Sequence, residues 1–249
     1  MAIHYFSPAK PRIFAHRGLA EPLNLDENTI PAFQAAIDHG ATHLESDTQA
    51  TSDGHAVLFH DPDLKRVAGI DALVSELTLT EVSEIRLANG GTIPTLFEVL
   101  THFPTAFFNL DIKTKLAIEP TIQAIEDAKA HNRVLVSSFS NPTRKSALKK
   151  FSQPVATSAS ASVALAAWAS HTFLFGLGFR SIVSEVDALQ VPVRLGIVNF
   201  SNSAFIKRVQ RHKTEIHFWT INDPIEMSAL INAGADGIVS DRVDLFKTG

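Results

Sequence analysis

Four groups of residues give this sequence its chemistry. His16-Arg17 closes a short apolar run, "RIFAH". Glu45 and Asp47 stand two apart in "THLESDT". Asn109, Asp111 and Lys113 are spaced by two in "FFNLDIK", and His60 precedes Asp61 at the end of "AVLFH". Side chains alternate along a strand, so residues two apart share a face. Glu45 and Asp47 then point one way, and Asn109, Asp111 and Lys113 likewise, with Leu110 and Ile112 opposite. If these strands belong to a barrel, the apolar set packs on helices. The carboxylates of Glu45, Asp47 and Asp111 converge inside, near the C-terminal strand ends where such folds place their sites.

Three carboxylates repel one another in a low-dielectric site, so positive charge must sit among them. Lys113 can supply one charge, and a bound divalent cation neutralises more. A ligand set made only of carboxylate oxygens suits Mg²⁺ or Ca²⁺ rather than zinc. The plainer alternative is that Glu45 and Asp47 only form salt bridges with Lys113 and Arg17.

The chain has 11 histidines. His39, His102, His131 and His212 fall near the ends of helical patterns and read as surface or capping residues. His55 lies in a turn, and His43 and His217 sit at strand starts, the wrong end for catalysis. His16 and His60 alone combine a strand end with the acidic cluster. Two imidazoles are what acid–base chemistry near neutral pH requires. With Arg17, Lys113 and a cation to hold non-bridging oxygens, the set suits an anionic phosphorus centre. One histidine deprotonates the attacking hydroxyl and the other protonates the leaving oxygen, which is phosphodiester cleavage. Gly18 lets the chain turn away after Arg17. Glu27-Asn28-Thr29 caps the first helix, and Glu27 is placed to hold Arg17 or a histidine; capping alone is the alternative.

The elements that must position these groups alternate. Candidate strands fall at 12–16, 42–48, 107–113, 133–139, 154–159, 188–192, 216–221 and 237–240. Helical patterns lie between most of them, such as "TIPAFQAAIDHG", "EPTIQAIEDAKAH" and "DPIEMSALINAG". Strands alternating with helices indicate parallel βαβ units. Eight units in 249 residues predict one domain, a (β/α)8 TIM barrel. An open doubly wound sheet would want a Gly-rich phosphate loop after its first strand, and "AHRGLAEPLN" is not one. The Asp53-Gly54 turn signals a hairpin, so a small insertion, about 53–106, separates the second and third strands. It carries two capping boxes, Thr78/Glu81 and Thr95/Glu98.

Composition removes several classes of function. Net charge is −4, from 22 basic and 26 acidic residues. No basic patch marks a nucleic-acid binder, and Arg144-Lys145 with Lys149-Lys150 reads as a solvated helix face. There is no cysteine, which excludes disulfides and thiolate chemistry and is compatible with a reducing cytoplasm, the expected location. The first residues lack the pattern of a signal peptide, and no apolar run reaches the length of a membrane span.

The blocks "AHRG", "ENTIPAF", "LESDTQATSDGHAVLFHDPDLKRVAG", "IPTLFEVL", "NLDIKT", "VLVSSFS", "HFWTIND" and "GADGIVSDR" occur in an order that resembles the glycerophosphodiester phosphodiesterases. They cover residues from about 13 to 242, and the stretch from about 150 to 210 matches least. The resemblance implies a barrel with a small insertion before its third strand. It also implies metal-dependent hydrolysis of a small-molecule glycerophosphodiester to glycerol 3-phosphate and an alcohol. His16 and His60 become the acid–base pair, Glu45 and Asp47 metal ligands, Arg17 and Lys113 phosphate contacts, and Trp219 a pocket wall. Asp111 stands where the family usually carries a glutamate as third ligand, shorter by about 1.5 Å of reach; related phospholipase D-like toxins carry aspartate there. Phe139 and Gln190 are further pocket candidates. The segment "HTFLFGLGF" (171–179) reads as a buried helix–loop, or else as a greasy lip for a lipid tail. The competing functions are lysophospholipase D-like cleavage of single-chain lipids and a barrel that binds phosphorylated ligands without turnover. The oligomeric state is left open.

Overall fold

The computed structural model describes residues 4–246, so part of the segment read for a signal peptide lies outside the described residues. Among the described residues eleven strands form: β1 (Arg12–His16), β2 (His43–Ala50), β3 (Ala56–Leu58), β4 (Phe107–Ile112), β5 (Val134–Ser137), β6 (Ala156–Thr157), β7 (Ala188–Val191), β8 (Arg194–Leu195), β9 (Val198–Asn199), β10 (Glu215–Phe218) and β11 (Gly237–Ser240). Eight of them, in the order β6-β5-β4-β2-β1-β11-β10-β7, make a parallel sheet. A bridge from Ser158 to Ala188, with Ala159 N donating to Ala188 O at 2.8 Å, joins its two ends. The result is the TIM barrel that the alternation of strands and helices predicts.

Alternation sorts the side chains as expected. Leu44, Leu110, Ile112 and Val136 pack outward with Phe33 and Ile125 from the surrounding helices. Inside, Phe14, Leu135, Ala156, Ala188 and Val239 fill the barrel beside Tyr5. The helix Ile30–Asp38 buries Ala32, Phe33 and Ala36 and starts at Thr29, whose side chain accepts from Ala32 N. Gly18 has φ +87°, and a Cβ there would stand 2.7 Å from the Ala32 carbonyl carbon. Only glycine lets the chain leave β1 against that helix.

β2 outruns its neighbours because its last residues pair antiparallel with β3, Thr48 with Leu58 through Ala50 with Ala56. Between β3 and β4 lie four short helical segments, and both predicted capping boxes are formed. Two surface readings change. Arg144 is buried because its guanidinium binds Asn141 Oδ1 (2.9 Å) and the Glu185 carbonyl (3.3 Å). His131 is buried beside Phe151.

At the N-terminal end of the barrel a charged layer is sealed by the incoming chain. Arg12, 2% exposed, forks onto Glu215 through Nε (2.7 Å) and Nη2 (2.8 Å) and also donates to the carbonyls of Phe6 and Pro8. His217 is fully buried with Nε2 3.0 Å from Glu215, and His43 is buried with Nε2 on the Tyr5 carbonyl. Burial opposes the charge on Glu215, but Arg12 and His217 outweigh it and hold the carboxyl well below its ordinary value of 4.5. Glu215→Ala would leave the Arg12 guanidinium buried without its partner, an expected loss of about 3–5 kcal/mol in urea denaturation. The pH dependence has a definite sign. Below about pH 4.5 the unfolded chain takes up a proton at Glu215 that the native state refuses, so native stability falls as pH falls. The alanine variant should show a shallower acid slope than wild type; equal slopes and equal midpoints would refute this role.

Candidate active site

The C-terminal strand ends surround a cavity of about 470 Å³. It is lined by His16, Arg17, Glu45, Asp47, His60, Asp111, Lys113 and Trp219, which are all eight residues singled out from the sequence, and by Phe139 and Gln190 as well. The register explains the meeting. His16 on β1 pairs with Glu45 on β2, and Asp47 pairs with Asp111 on β4, so the charged side chains stand side by side on one inner face.

Charge among the carboxylates is balanced by cationic side chains. Lys113 Nζ lies 2.6 Å from Asp47 Oδ1 and 2.8 Å from Asp111 Oδ2. Arg17 Nε lies 3.3 Å from Asp47 Oδ2, close enough for an ion pair but without hydrogen-bond geometry. The salt-bridge alternative is therefore present for Asp47. Glu45 takes no lysine; its Oε2 accepts from Arg17 N (3.3 Å) and lies 4.0 Å from His16 Nε2. Burial, and then the charge of Asp47, push the Glu45 carboxyl up to about 7. Burial also raises Asp111, against the pull of Lys113. Burial alone would lower Lys113, but Asp47 and Asp111 raise it, so it stays charged.

Among the described residues, no three His, Asp or Glu side chains are arranged to hold a metal ion. The donors nevertheless fit a hard cation in chemistry. All three are buried carboxylates; Asp47 Oδ2 and Asp111 Oδ2 are met only by the ion pairs to Arg17 and Lys113, and the neighbouring Asn109 Oδ1 is buried with no hydrogen-bond partner. Such an atom costs free energy unless something binds it.

Both histidines are oriented by carboxylates. His16 Nδ1 lies 2.6 Å from Asp241 Oδ1, and His60 Nδ1 lies 2.6 Å from Asp61 Oδ1. Each Nδ1 is thus occupied by a carboxylate, and Nε2 is the ring nitrogen without a hydrogen-bond partner among the described residues. Burial disfavours the imidazolium of His16, but Asp241 and Glu45 outweigh it and raise its pKa. Arg17 sits at φ +57°, a left-handed conformation unusual outside glycine. It is held there by Arg17 N donating to Glu45 O (3.0 Å) and by Asn28 N donating to Arg17 O (2.9 Å). Thr29 alone supplies the side-chain cap of the helix Ile30–Asp38; Glu27 instead accepts from Arg17 Nη1 at Oε1, 3.1 Å away.

Sequence reasoning passed over Asp241, although alternation could have found it. Asp241 lies two beyond Val239, which lines the cavity. Arg66, which binds both Asp61 and Glu27, had no local signal. Neither reading of 171–179 holds as stated. Phe179 is buried, while Phe173, Phe175 and Leu177 are exposed and line no part of the cavity. The apolar mouth is built instead by Phe139, Leu165 and Leu195, which are 62%, 37% and 55% exposed.

Residues 16–245 match the model of the glycerophosphoryl diester phosphodiesterase family. The chain belongs to that family. It is 38% identical over 234 residues to a Mycobacterium tuberculosis protein named "Probable glycerophosphodiester phosphodiesterase 2", covering 94% of this chain and 88% of the relative. A crystal structure of a glycerophosphodiester phosphodiesterase from Thermotoga maritima superposes with a TM-score of 0.70 at 26% identity, covering 94% of this chain and 95% of that one. A Homo sapiens lysophospholipase D is 26% identical over 270 residues, covering 91% of this chain and 82% of the relative. Family membership over nearly the whole chain agrees with a barrel whose cavity, holding the cluster of charged side chains, sits at the C-terminal strand ends. Among the described residues, no helix is long and apolar enough to cross a membrane.

Proposed function

We propose that this chain hydrolyses glycerophosphodiesters to glycerol 3-phosphate and an alcohol, with His16 and His60 as the acid–base pair. The observation that carries the reading is that both imidazoles, each tied to a carboxylate at Nδ1, line one cavity with Arg17 and Lys113. Arg17 and Lys113 hold the non-bridging oxygens of the diester. One imidazole removes the proton from the attacking oxygen as it bonds to phosphorus; that oxygen belongs to water, or to the substrate's neighbouring hydroxyl, in which case water opens the resulting cyclic phosphate in a second such step. The bond from phosphorus to the departing alkoxide breaks, and the other imidazole supplies that oxygen with a proton. Trp219 and Phe139, whose rings meet edge to face at 5.9 Å, wall the alcohol side. Glu45, Asp47 and Asp111 are the residues that would hold Mg²⁺ or Ca²⁺, which would stabilise negative charge on the phosphoryl oxygens when bound.

A second reading is supported by the apolar mouth. Exposed Phe139, Leu165 and Leu195 beside the charged cluster of the cavity would suit a single acyl chain, and so a lysophospholipase D-like activity. Assay of glycerophosphocholine against lysophosphatidylcholine tests both. Release of glycerol 3-phosphate from the former, in the presence of Mg²⁺ or Ca²⁺, is the expected result. Preferential turnover of the latter would select the second reading. Binding of glycerol 3-phosphate without turnover of either would leave only a phosphate-binding barrel.

A further inference from the structure

Arg66 belongs to the four-residue helix Lys65–Ala68, between β3 and β4. Its Nε donates to Asp61 Oδ2 at 2.6 Å. Its Nη1 and Nη2 donate to Glu27 Oε2 (3.0 Å) and Oε1 (2.6 Å). The opposite oxygen of Asp61 holds His60 Nδ1, and Glu27 Oε1 also accepts from Arg17 Nη1. One guanidinium thus completes a continuous chain, His60–Asp61–Arg66–Glu27–Arg17, whose two ends both reach the cavity.

We propose that Arg66 is a positioning residue that sets His60 and Arg17 relative to one another, and so places a proton-transfer group against a phosphate contact. The inference rests on the phosphodiesterase reading above for its effect on turnover, but not for its effect on His60 itself. An isolated exposed ion pair stabilises little, and the Arg66 side chain is 48% exposed. Three charge-assisted N–H bonds to two carboxylates are a different case, because the planar fork fixes both partners in angle as well as distance. Asp61 cannot rotate without breaking a bond to Arg66, and a rotation of Asp61 carries the His60 ring with it. Glu27 is held in the same way, and Arg17 with it. A lysine at 66 could keep the charge but not the fork.

The test compares wild type, Arg66→Ala and Arg66→Lys on glycerophosphocholine. Displacement of about 1 Å at a reacting group costs up to about 100-fold, so Arg66→Ala should lose about 10- to 100-fold in kcat/KM. The loss should divide between a lower kcat, from His60, and a higher KM, from Arg17. Added guanidinium ion should recover part of the activity of the alanine variant while leaving wild type unchanged, since the site is open to solvent. Arg66→Lys should remain about tenfold below wild type. In parallel, ¹⁵N-imidazole spectra should show a protected His60 Nδ1 proton in wild type that is lost in Arg66→Ala. Kinetics within twofold of wild type would overturn the proposal, as would a loss that tracks a fall in melting temperature without guanidinium recovery. If wild type turns over no diester, the functional reading fails by itself. The imidazole spectrum still decides, because an Nδ1 proton equally protected in both proteins overturns the role of Arg66.

Discussion

Replacing His60 or His16 with alanine is expected to lower kcat for glycerophosphocholine by about 10²- to 10⁴-fold, with each variant folded and still binding glycerol 3-phosphate. The magnitude is that of removing one positioned proton-transfer group. Both rings belong to the cavity wall rather than the packed core, so truncation opens no interior void. Removing His16 leaves Asp241 with Asn222 Nδ2, 2.8 Å away, still donating to it. Removing His60 leaves Asp61 with Arg66. Neither carboxylate is stranded, which is why a folding defect is not expected. The double variant should be little worse than the poorer single one if the two rings act in one step, because groups that act as a unit are not additive. Stopped assays of glycerol 3-phosphate release, with thermal melts of the same samples, provide the measurement. A variant retaining more than about a tenth of wild-type kcat would remove that histidine from the acid–base pair.

Chelation is the second large effect. EDTA should abolish turnover, and Mg²⁺ or Ca²⁺ should restore it. Calorimetric titration of the chelated protein should show a site that Asp47→Asn eliminates. The expectation comes from charge. Three buried carboxylates face only two side-chain cations, Lys113 and Arg17, and the neighbouring Asn109 Oδ1 is buried with no hydrogen-bond partner. With Glu45 already pushed up to about 7 by burial and by Asp47, a hard cation would relieve the repulsion that two side-chain cations leave. Asp111→Asn should raise the metal concentration needed for half-maximal activity by at least about tenfold, since it removes one anionic ligand. Full activity in EDTA, with no heat of metal binding, would leave Lys113 and Arg17 as the counter-charges and Asp111 outside any ligand set.

Much of the barrel was legible because strand and helix periods differ. The run Phe108–Ile112 alternates apolar and polar residues, and in its partner Leu44–Thr48 the carboxylates Glu45 and Asp47 alternate with the uncharged Leu44, Ser46 and Thr48. A period of two with opposite chemistry on the two faces admits one placement, apolar toward the helices and carboxylates inward. The Asp53-Gly54 turn and the two Thr/Glu boxes are local devices, made by residues within a few positions of one another, and so they read directly. Arg144 failed for the opposite reason. Helical spacing placed it on a polar face, but its guanidinium folds onto Asn141 and onto the carbonyl of Glu185, which is distant in sequence.

The amino-acid sequence by itself determined which residues share a face and which strand ends carry charge, because both follow from periodicity along a few neighbouring positions. It determined the candidate set His16, Arg17, Glu45, Asp47, His60, Asp111, Lys113 and Trp219, and all eight line one cavity. Only the tertiary structure decided how those charges are shared: Lys113 between Asp47 and Asp111, His16 on Asp241, and Arg66 joining Asp61 to Glu27. Coulomb and hydrogen-bond partners are chosen by distance in space, over a few ångströms. His16 ends the first strand of the barrel and Asp241 follows directly after the last, and these strands become neighbours only when the ring closes.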